Sequence, residues 1–372
     1  MLIRFDPAGH TAVLSGILAD LAEKPEVGLV VVLAGDANGF TPAILDPTLR
    51  AFPKPLIGGV FPQVILGRDR FERGTVVVGL ECRATVGVVA GISDPLASLS
   101  ARTDAALSGS VPRGGTLLAF VDGRARRLGA LTDSLFNAFG LDTDYLGGGA
   151  GSLDQDQRPC VFTNEGLLVD AAVLALTDIG AGVGVAHGWE PISGPFKVTA
   201  SDRNTIFSLD WRPAFEVYRD AVATHANCSF AAADFSDLAG AYPFGIAKLD
   251  NEMVARSAHS QDGDALVCVG EVPQGSYVHI LHGTPAGLTR AAGRACEIAR
   301  SAYRRDRSPR GMLFIDCISR ALFLGDDFSD ELAAVDLGLP VVGALVLGEI
   351  ANSGRDYLEF HNKTSVVGLL DA

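Results

Sequence analysis

The sequence predicts an α/β protein made of three related β-α-β-α-β-β units. Three observations carry that expectation. Apolar runs of strand length alternate with helical stripes. Three long segments share one layout of apolar run, glycines, polar turn and second apolar run: Pro55–Glu81, Tyr145–Asp178 and Pro340–Leu370. Glycines recur in step with them. Gly28 is followed by Gly58, Gly115 by Gly147 and Gly311 by Gly343, at separations of 30, 32 and 32 positions. A repeat of this kind is an architecture before it is anything else.

In chain order, Leu2–Phe5 alternates as a short strand, and Thr11–Lys24 carries a helical stripe of Val13, Leu14, Ile17, Leu18 and Leu21. Gly28–Leu33 is an unbroken apolar run, as expected of a strand covered on both faces. Thr41–Phe52 reads as a helix, Pro55–Gly59 as a corner, and Thr75–Leu80 as a strand. The pattern restarts with strand Val86–Val89, helix Pro95–Leu107, strand Gly115–Val121, helix Arg127–Phe139 and a glycine corner over Tyr145–Gly151. A third start is expected near Tyr277, with strand Val278–Leu281, helix Ala286–Arg304, strand Gly311–Ile315 and helix Phe328–Leu337. The corner glycines answer a need for positive φ or for close backbone approach. An insertion between about Asp178 and Gly275 separates the second and third units. It opens with the glycine-rich strand Ile179–Trp189. A hairpin over Phe196–Asp210, a helix over Arg212–Thr224 and short strands at Met253–Ser257 and Ala265–Gly270 follow.

Composition narrows the function. Hydrophobic residues make up 48% of 372 positions and charged residues 20%, enough to bury a sizeable core. A formal net charge of −14 argues against nucleic acid and against anionic membrane surfaces as partners. The one basic cluster, Arg304, Arg305, Arg307 and Arg310, reads as a solvated loop. Asp6 and Pro7 interrupt the start where a signal peptide needs an apolar stretch, and no apolar run is long enough to span a bilayer. The six cysteines are scattered without a CxxC pair, as in buried thiols of a reducing cytoplasm. No HExxH, GxxxxGK[ST] or GxSxG motif is present, and the glycine runs at Gly147–Gly151 and Gly180–Gly184 lack the rest of a dinucleotide fingerprint. A pseudo-symmetric hydrolase would repeat its Ser or Lys in each unit. Lys24, Lys54, Lys197, Lys248 and Lys363 do not occupy equivalent places. Binding without turnover is the expectation.

The stretch Gly182–Asp220, GVGVAHGWEPISGPFKVTASDRNTIFSLDWRPAFEVYRD, resembles the segment joining the two halves of FIST proteins, which are signal-transduction sensory domains. FIDCISRALFLG (Phe314–Gly325), GALVLGEI (Gly343–Ile350) and FHNKTSVVGLL (Phe360–Leu370) follow in that family's order. The chain departs from fuller versions at Cys317–Arg320, where a glycine- or arginine-rich turn is common, and in lacking Gly-Pro after GEI. The resemblance implies a FIST N-type domain over 1–210 and a FIST C-type domain over 211–372. It implies a cytoplasmic, stand-alone ligand-binding protein that senses or carries its ligand. It also implies a small-molecule ligand, with haem b leading through a haem-binding, nitric-oxide-sensing subset. An amino acid or other polar metabolite is the alternative. A separate histidine kinase or cyclic-dinucleotide enzyme would read the output.

Candidate site residues follow. His187 closes a glycine-rich apolar strand, with Trp189 two positions on to pack a flat ring, and it is the first choice of axial ligand. His361 is the alternative metal ligand, with Glu359 on the same strand face to fix its tautomer. Glu349 lies in an apolar run, where a carboxylate needs a partner. Arg256 and Arg320 could hold a carboxylate or a haem propionate, and Asn362 completes a polar set. His279 and His282 face opposite sides of a strand. His10, His225 and His259 read as surface residues, and Cys317 beside Asp316 reads as structural.

Overall fold

A computed structural model describes residues 1–108, 114–154, 156–227, 235–248, 253–304, 307–352 and 357–372. Arg305 of the basic cluster and Cys228 lie outside them.

The first unit runs β1 (Leu2–Asp6), α1 (Thr11–Ala22), β2 (Leu29–Gly35), α2 (Pro42–Ala51), β3 (Leu56–Phe61), a hairpin of β4 (Gln63–Leu66) and β5 (Asp69–Phe71), and β6 (Thr75–Leu80). The second repeats it as β7 (Ala84–Ala90), α3 (Leu99–Ala106), β8 (Thr116–Asp122), α4 (Leu128–Phe139), β9 (Asp144–Ala150), hairpin β10 (Val161–Thr163) and β11 (Gly166–Leu168), and β12 (Ala171–Thr177).

The third begins with β13 (Ala181–Ala186), and the insertion follows at once. It comprises β14 (Glu190–Asp202), β15 (Thr205–Leu209), β16 (Arg212–Pro213), α5 (Ala214–Ala226), α6 (Phe235–Ala241), β17 (Phe244–Ala247), β18 (Met253–Arg256), β19 (Ala258–Asp262), β20 (Ala265–Cys268) and β21 (Tyr277–His282). The unit resumes with α7 (Pro285–Ala302), β22 (Gly311–Cys317), α8 (Ile318–Leu324), α9 (Phe328–Ala334), β23 (Val341–Val346), hairpin β24 (Glu349–Ala351) and β25 (Glu359–His361), and β26 (Ser365–Leu370).

The three units therefore stand, and the third starts earlier than its sequence spacing suggests. β13 pairs antiparallel with β26, as β1 pairs with β6 and β7 with β12. The expected opening strand near Tyr277 is β21, which belongs to the insertion's own eight-stranded sheet. The insertion falls between the first strand and the first helix of the unit, so two apolar strands compete for the place before α7. Local pattern does not separate them.

Each unit gives its hairpin away. β4–β5 extends the third unit's sheet by pairing with β23, β10–β11 extends the first through β3, and β24–β25 extends the second through β9. Three six-stranded sheets result, each closed by its neighbour's hairpin around a ring. β2, β3, β6, β8 and β12 are buried along their whole length, which explains their near-continuous Val, Leu, Ile and Ala.

The repeated glycines prove to be strand positions rather than corners. Gly58, Gly147 and Gly343 lie within β3, β9 and β23, in register with Val32, Ala119 and Phe314 of the parallel neighbour. A Cβ there would come 2.3, 1.8 and 1.8 Å from the carbonyl oxygens of those partners. Close backbone approach is what excludes a side chain. Gly311 is out of step with Gly28 and Gly115. The matching place in the third unit is Arg310, whose N–H donates to Leu370 O as that of Gly28 donates to Leu80 O. Two further elements differ. α3 is shorter than the expected helix over Pro95–Leu107, and α8 is a helix that the sequence pattern does not predict.

The described cysteines are free, and burial pushes the thiols of Cys82 and Cys268 up to about 12 and that of Cys296 up to about 11. Among the described residues, no helix is long and apolar enough to cross a membrane.

Candidate ligand-binding site

A cavity of about 860 Å³ opens where the insertion meets the third unit. One wall is the end of β13 with His187 and Gly188, and the facing wall is the first half of α7, with Arg290, Ala291 and Arg294. The insertion contributes Lys248, Met253 and Val254; β25 contributes Glu359 and His361; α4 of the second unit contributes Asp133. Local chemistry sets this shape. Gly188 takes φ 76°, and a Cβ there would lie 2.6 Å from Gly287 O, so only glycine lets the chain turn off β13 against α7. Thr284 caps α7 by accepting from the Gly287 N–H at 3.1 Å, and Pro285 takes the first helical position.

The corresponding strand–helix junctions of the other two units are shaped differently. In the second, Arg102 Nη1 donates to Ala90 O at 2.6 Å and Gly91 O at 2.9 Å, across an open hollow of about 540 Å³. In the first, Asp6 accepts from the N–H groups of Ala8 and His10 and closes the turn. The third cleft is the one walled by an inserted sheet.

The structure brings His187 and His361 into this cavity together. Burial, with Arg320 and His361 adding to it, lowers the His187 pKa to about 4. Burial does the same for His361, also to about 4. Both rings are therefore neutral at pH 7. His187 Nδ1 accepts from the Trp189 N–H at 3.0 Å, and the Met253 backbone lies near the ring. As found, Nδ1 of His187 is taken up by that hydrogen bond. His361 Nε2 lies 3.3 Å from Ala351 O, which makes it the donor and leaves Nδ1 without a partner among the described residues.

Trp189 borders the cavity but is buried in the core. Its Nε1 donates to Lys363 O at 2.9 Å, its ring meets Phe323 at 5.2 Å, and the Lys363 ammonium lies 4.8 Å above it. Arg320 is fully buried and all of its N–H donors are spent. Nε and Nη2 donate to Glu331 Oε1 at 3.0 and 2.8 Å, Nη2 to Leu288 O at 3.1 Å, and Nη1 to His187 O at 2.5 Å and Lys363 O at 3.3 Å. Asp316 Oδ1 lies 3.1 Å from its Nε. Arg320 is thus a structural hub under the cavity, with no donor left for a propionate. Arg256 is also buried, with Nε donating to Glu271 O and Nη1 to Ala255 O and Phe360 O at 3.0 Å each, and Nη2 3.9 Å from Glu359 Oε2. It clamps the insertion onto the β24–β25 hairpin.

Glu349 is fully buried away from the cavity. Oε2 accepts from the Thr364 N–H at 3.2 Å, and burial, then the neighbouring Cys317 and Asp316, hold its carboxyl well above the usual range. Asn362 donates to His361 O at 2.9 Å and leaves Oδ1 unpaired. Both residues shape the turn that carries His361. Sequence reasoning missed Arg290 and Arg294, although their spacing of one turn on a helix otherwise rich in Ala and Gly was visible. It also missed Lys363, buried at φ 55° with Nζ donating to Gly240 O of α6 at 2.8 Å. His225, read from sequence as a surface residue, lies in the last turn of α5 with Nδ1 3.0 Å from Tyr242 Oη and its ring 4.8 Å from that of His282. Among the described residues no group of three or more His, Cys, Asp or Glu side chains could hold a metal ion.

Residues 28–212 match the model of the FIST N domain, and residues 214–352 match that of the FIST C domain. The boundary between the two matches falls inside the insertion, between β16 and α5. No curated protein matches the chain.

Proposed function

Because the chain belongs to the FIST family, whose domains bind small-molecule ligands in a sensory role, we propose that it is a ligand-binding protein whose ligand occupies the β13–α7 cavity. The observation that supports this most is the contrast among the three clefts. The second has an open hollow of about 540 Å³ edged by Arg102, and the first has a turn closed by Asp6, while the third holds about 860 Å³ and is walled by the insertion. The lining mixes apolar Val185, Met253, Val254 and Leu358 with two neutral imidazoles and several charges. That mixture suits a small polar metabolite, with a few polar groups orienting it against apolar walls. Binding would bias the insertion against the ring, because ligand contacts come from both; the shift is limited by the difference in affinity between the two states.

Haem is a second reading, favoured by one feature: His361 lines the cavity and its Nδ1 has no hydrogen-bond partner among the described residues. His361 rather than His187 would then ligate iron, and Arg290 and Arg294 rather than Arg256 and Arg320 would face the propionates. The test is a thermal-shift screen of the full chain with amino acids, organic acids and haemin, repeated on Ala291→Phe, which fills the cavity. A saturable rise in Tm that Ala291→Phe abolishes supports the proposal. A Soret change lost in His361→Ala assigns haem. Binding that Ala291→Phe leaves intact would overturn the cavity assignment.

A further inference from the structure

The cavity holds an imbalance that bears on the chemistry of its ligand, on the premise that the ligand binds there. Its third lining cation, Lys248, is neutralised by an ion pair with Glu359. Arg290 and Arg294 have neither a hydrogen bond nor an ion pair among the described residues. They stand one helical turn apart on the same face of α7, so both guanidinium groups project toward the same mouth. The charge of Arg294 reaches the cavity floor, where it helps hold His187 neutral. Other exposed arginines are paired, as Arg68 with Asp336 and Arg83 with Asp178, or unpaired among the described residues, as Arg73, Arg126 and Arg300; Arg290 and Arg294 are unpaired and line a cavity.

The acids of the cavity do not answer the pair. Glu359 belongs to Lys248. Asp133, on α4, has its carboxyl pKa raised by burial and by Glu359. Glu190 is exposed at the rim and forms no ion pair with either arginine among the described residues. Two forked donors with no internal acceptor, at the entrance of a half-closed cavity, form a receptor for a planar or tetrahedral oxyanion.

We infer that the ligand carries a carboxylate or phosphate group at one end, and that Arg290 and Arg294 receive it. The remainder of the ligand then lies against Val254, Met253 and the two imidazoles.

The experiment is calorimetric and thermal-shift titration of the full chain with inorganic phosphate, with succinate and with uncharged succinamide. Succinate or phosphate should bind saturably, and whichever does so names the anion. Arg290→Ala/Arg294→Ala should weaken that binding about tenfold to a hundredfold, the worth of one or two charge-assisted hydrogen bonds. Arg300→Ala, in the last turn of the same helix, should leave it unchanged. Both arginines are exposed, so the double variant should fold, and its circular dichroism and Tm check this. Wild-type affinity for the anion in the double variant overturns the inference, as does succinamide binding as tightly as succinate. A neutral or cationic compound whose binding Ala291→Phe blocks, while neither anion binds, overturns it and leaves the cavity reading standing. If no compound shows binding sensitive to Ala291→Phe, both fall.

Discussion

Replacing Arg320 with methionine tests the central claim about the floor of the site. The methionine keeps much of the volume and removes the charge. Asp316 and Glu331 then face each other, fully buried, without the guanidinium that lies 3.1 and 2.8 Å from them. Breaking a buried pair from one side costs about 3–5 kcal/mol, because the stranded charge has lost both water and partner. The carbonyls of His187, Leu288 and Lys363 each lose a hydrogen bond from Arg320, although Lys363 O keeps the one from Trp189, and this loosens the cavity wall and α7 together. The deficit should depend on pH. Burial and Glu331 already raise the Asp316 pKa, with Arg320 opposing them, so removing Arg320 raises it further. A carboxyl whose folded pKa lies above its unfolded value loses stability as pH rises between the two. The deficit of the variant should therefore be smaller at about pH 5 than at about pH 8. Urea unfolding of wild type, Arg320→Met, Glu331→Gln and the double variant measures this. The double variant should be less damaged than the sum of the singles, since each single strands the other's partner. A loss below about 1 kcal/mol for Arg320→Met, or additivity within about 0.5 kcal/mol, would refute the hub.

Further outcomes follow from the same geometry. His187 and His361 titrate near 4 when folded, below the ordinary value of 6.5, so the unfolded chain binds more protons between those limits. Stability should fall as pH drops through that window, by at most about 1.4 kcal/mol per pH unit for each ring, and His187→Gln/His361→Gln should flatten the slope. Gly343→Ala places a methyl 1.8 Å from Phe314 O and should cost at least about 1–3 kcal/mol, whereas Gly16→Ala, in α1 with open space around it, should stabilise by about 0.5–1 kcal/mol. Equal thermal melts for these two variants would contradict the close strand approach. Lys363→Met removes the donor to Gly240 O and the cation over Trp189, and should cost about 1–3 kcal/mol. Hydrogen exchange should then speed up in α6; unchanged protection there would show that Lys363 does not tether the insertion.

Much of this protein was determined by sequence alone, wherever the physics is local. Runs such as Leu29–Gly35 and Thr116–Asp122 could only be strands covered on both faces. The stripe over Thr11–Ala22 could only be a helix, and the linker segment with GEI and FHN carried the family. Other features depended on partners that no local pattern encodes. A hairpin such as β4–β5 presents the same alternation whichever sheet receives it, so its transfer to β23 appears only in the folded ring. The same holds for β13, whose place in the third unit is set by pairing with β26 across the whole insertion. Arg320 looked like a ligand-binding arginine because a guanidinium fork suits a carboxylate or a propionate. Its acceptors come from β13, α7, α9 and the β25–β26 turn, and only tertiary structure brings them together. Arg290 and Arg294 show the converse. Their spacing on one helical face was legible, but their lack of internal partners depends on which acids the fold places within reach.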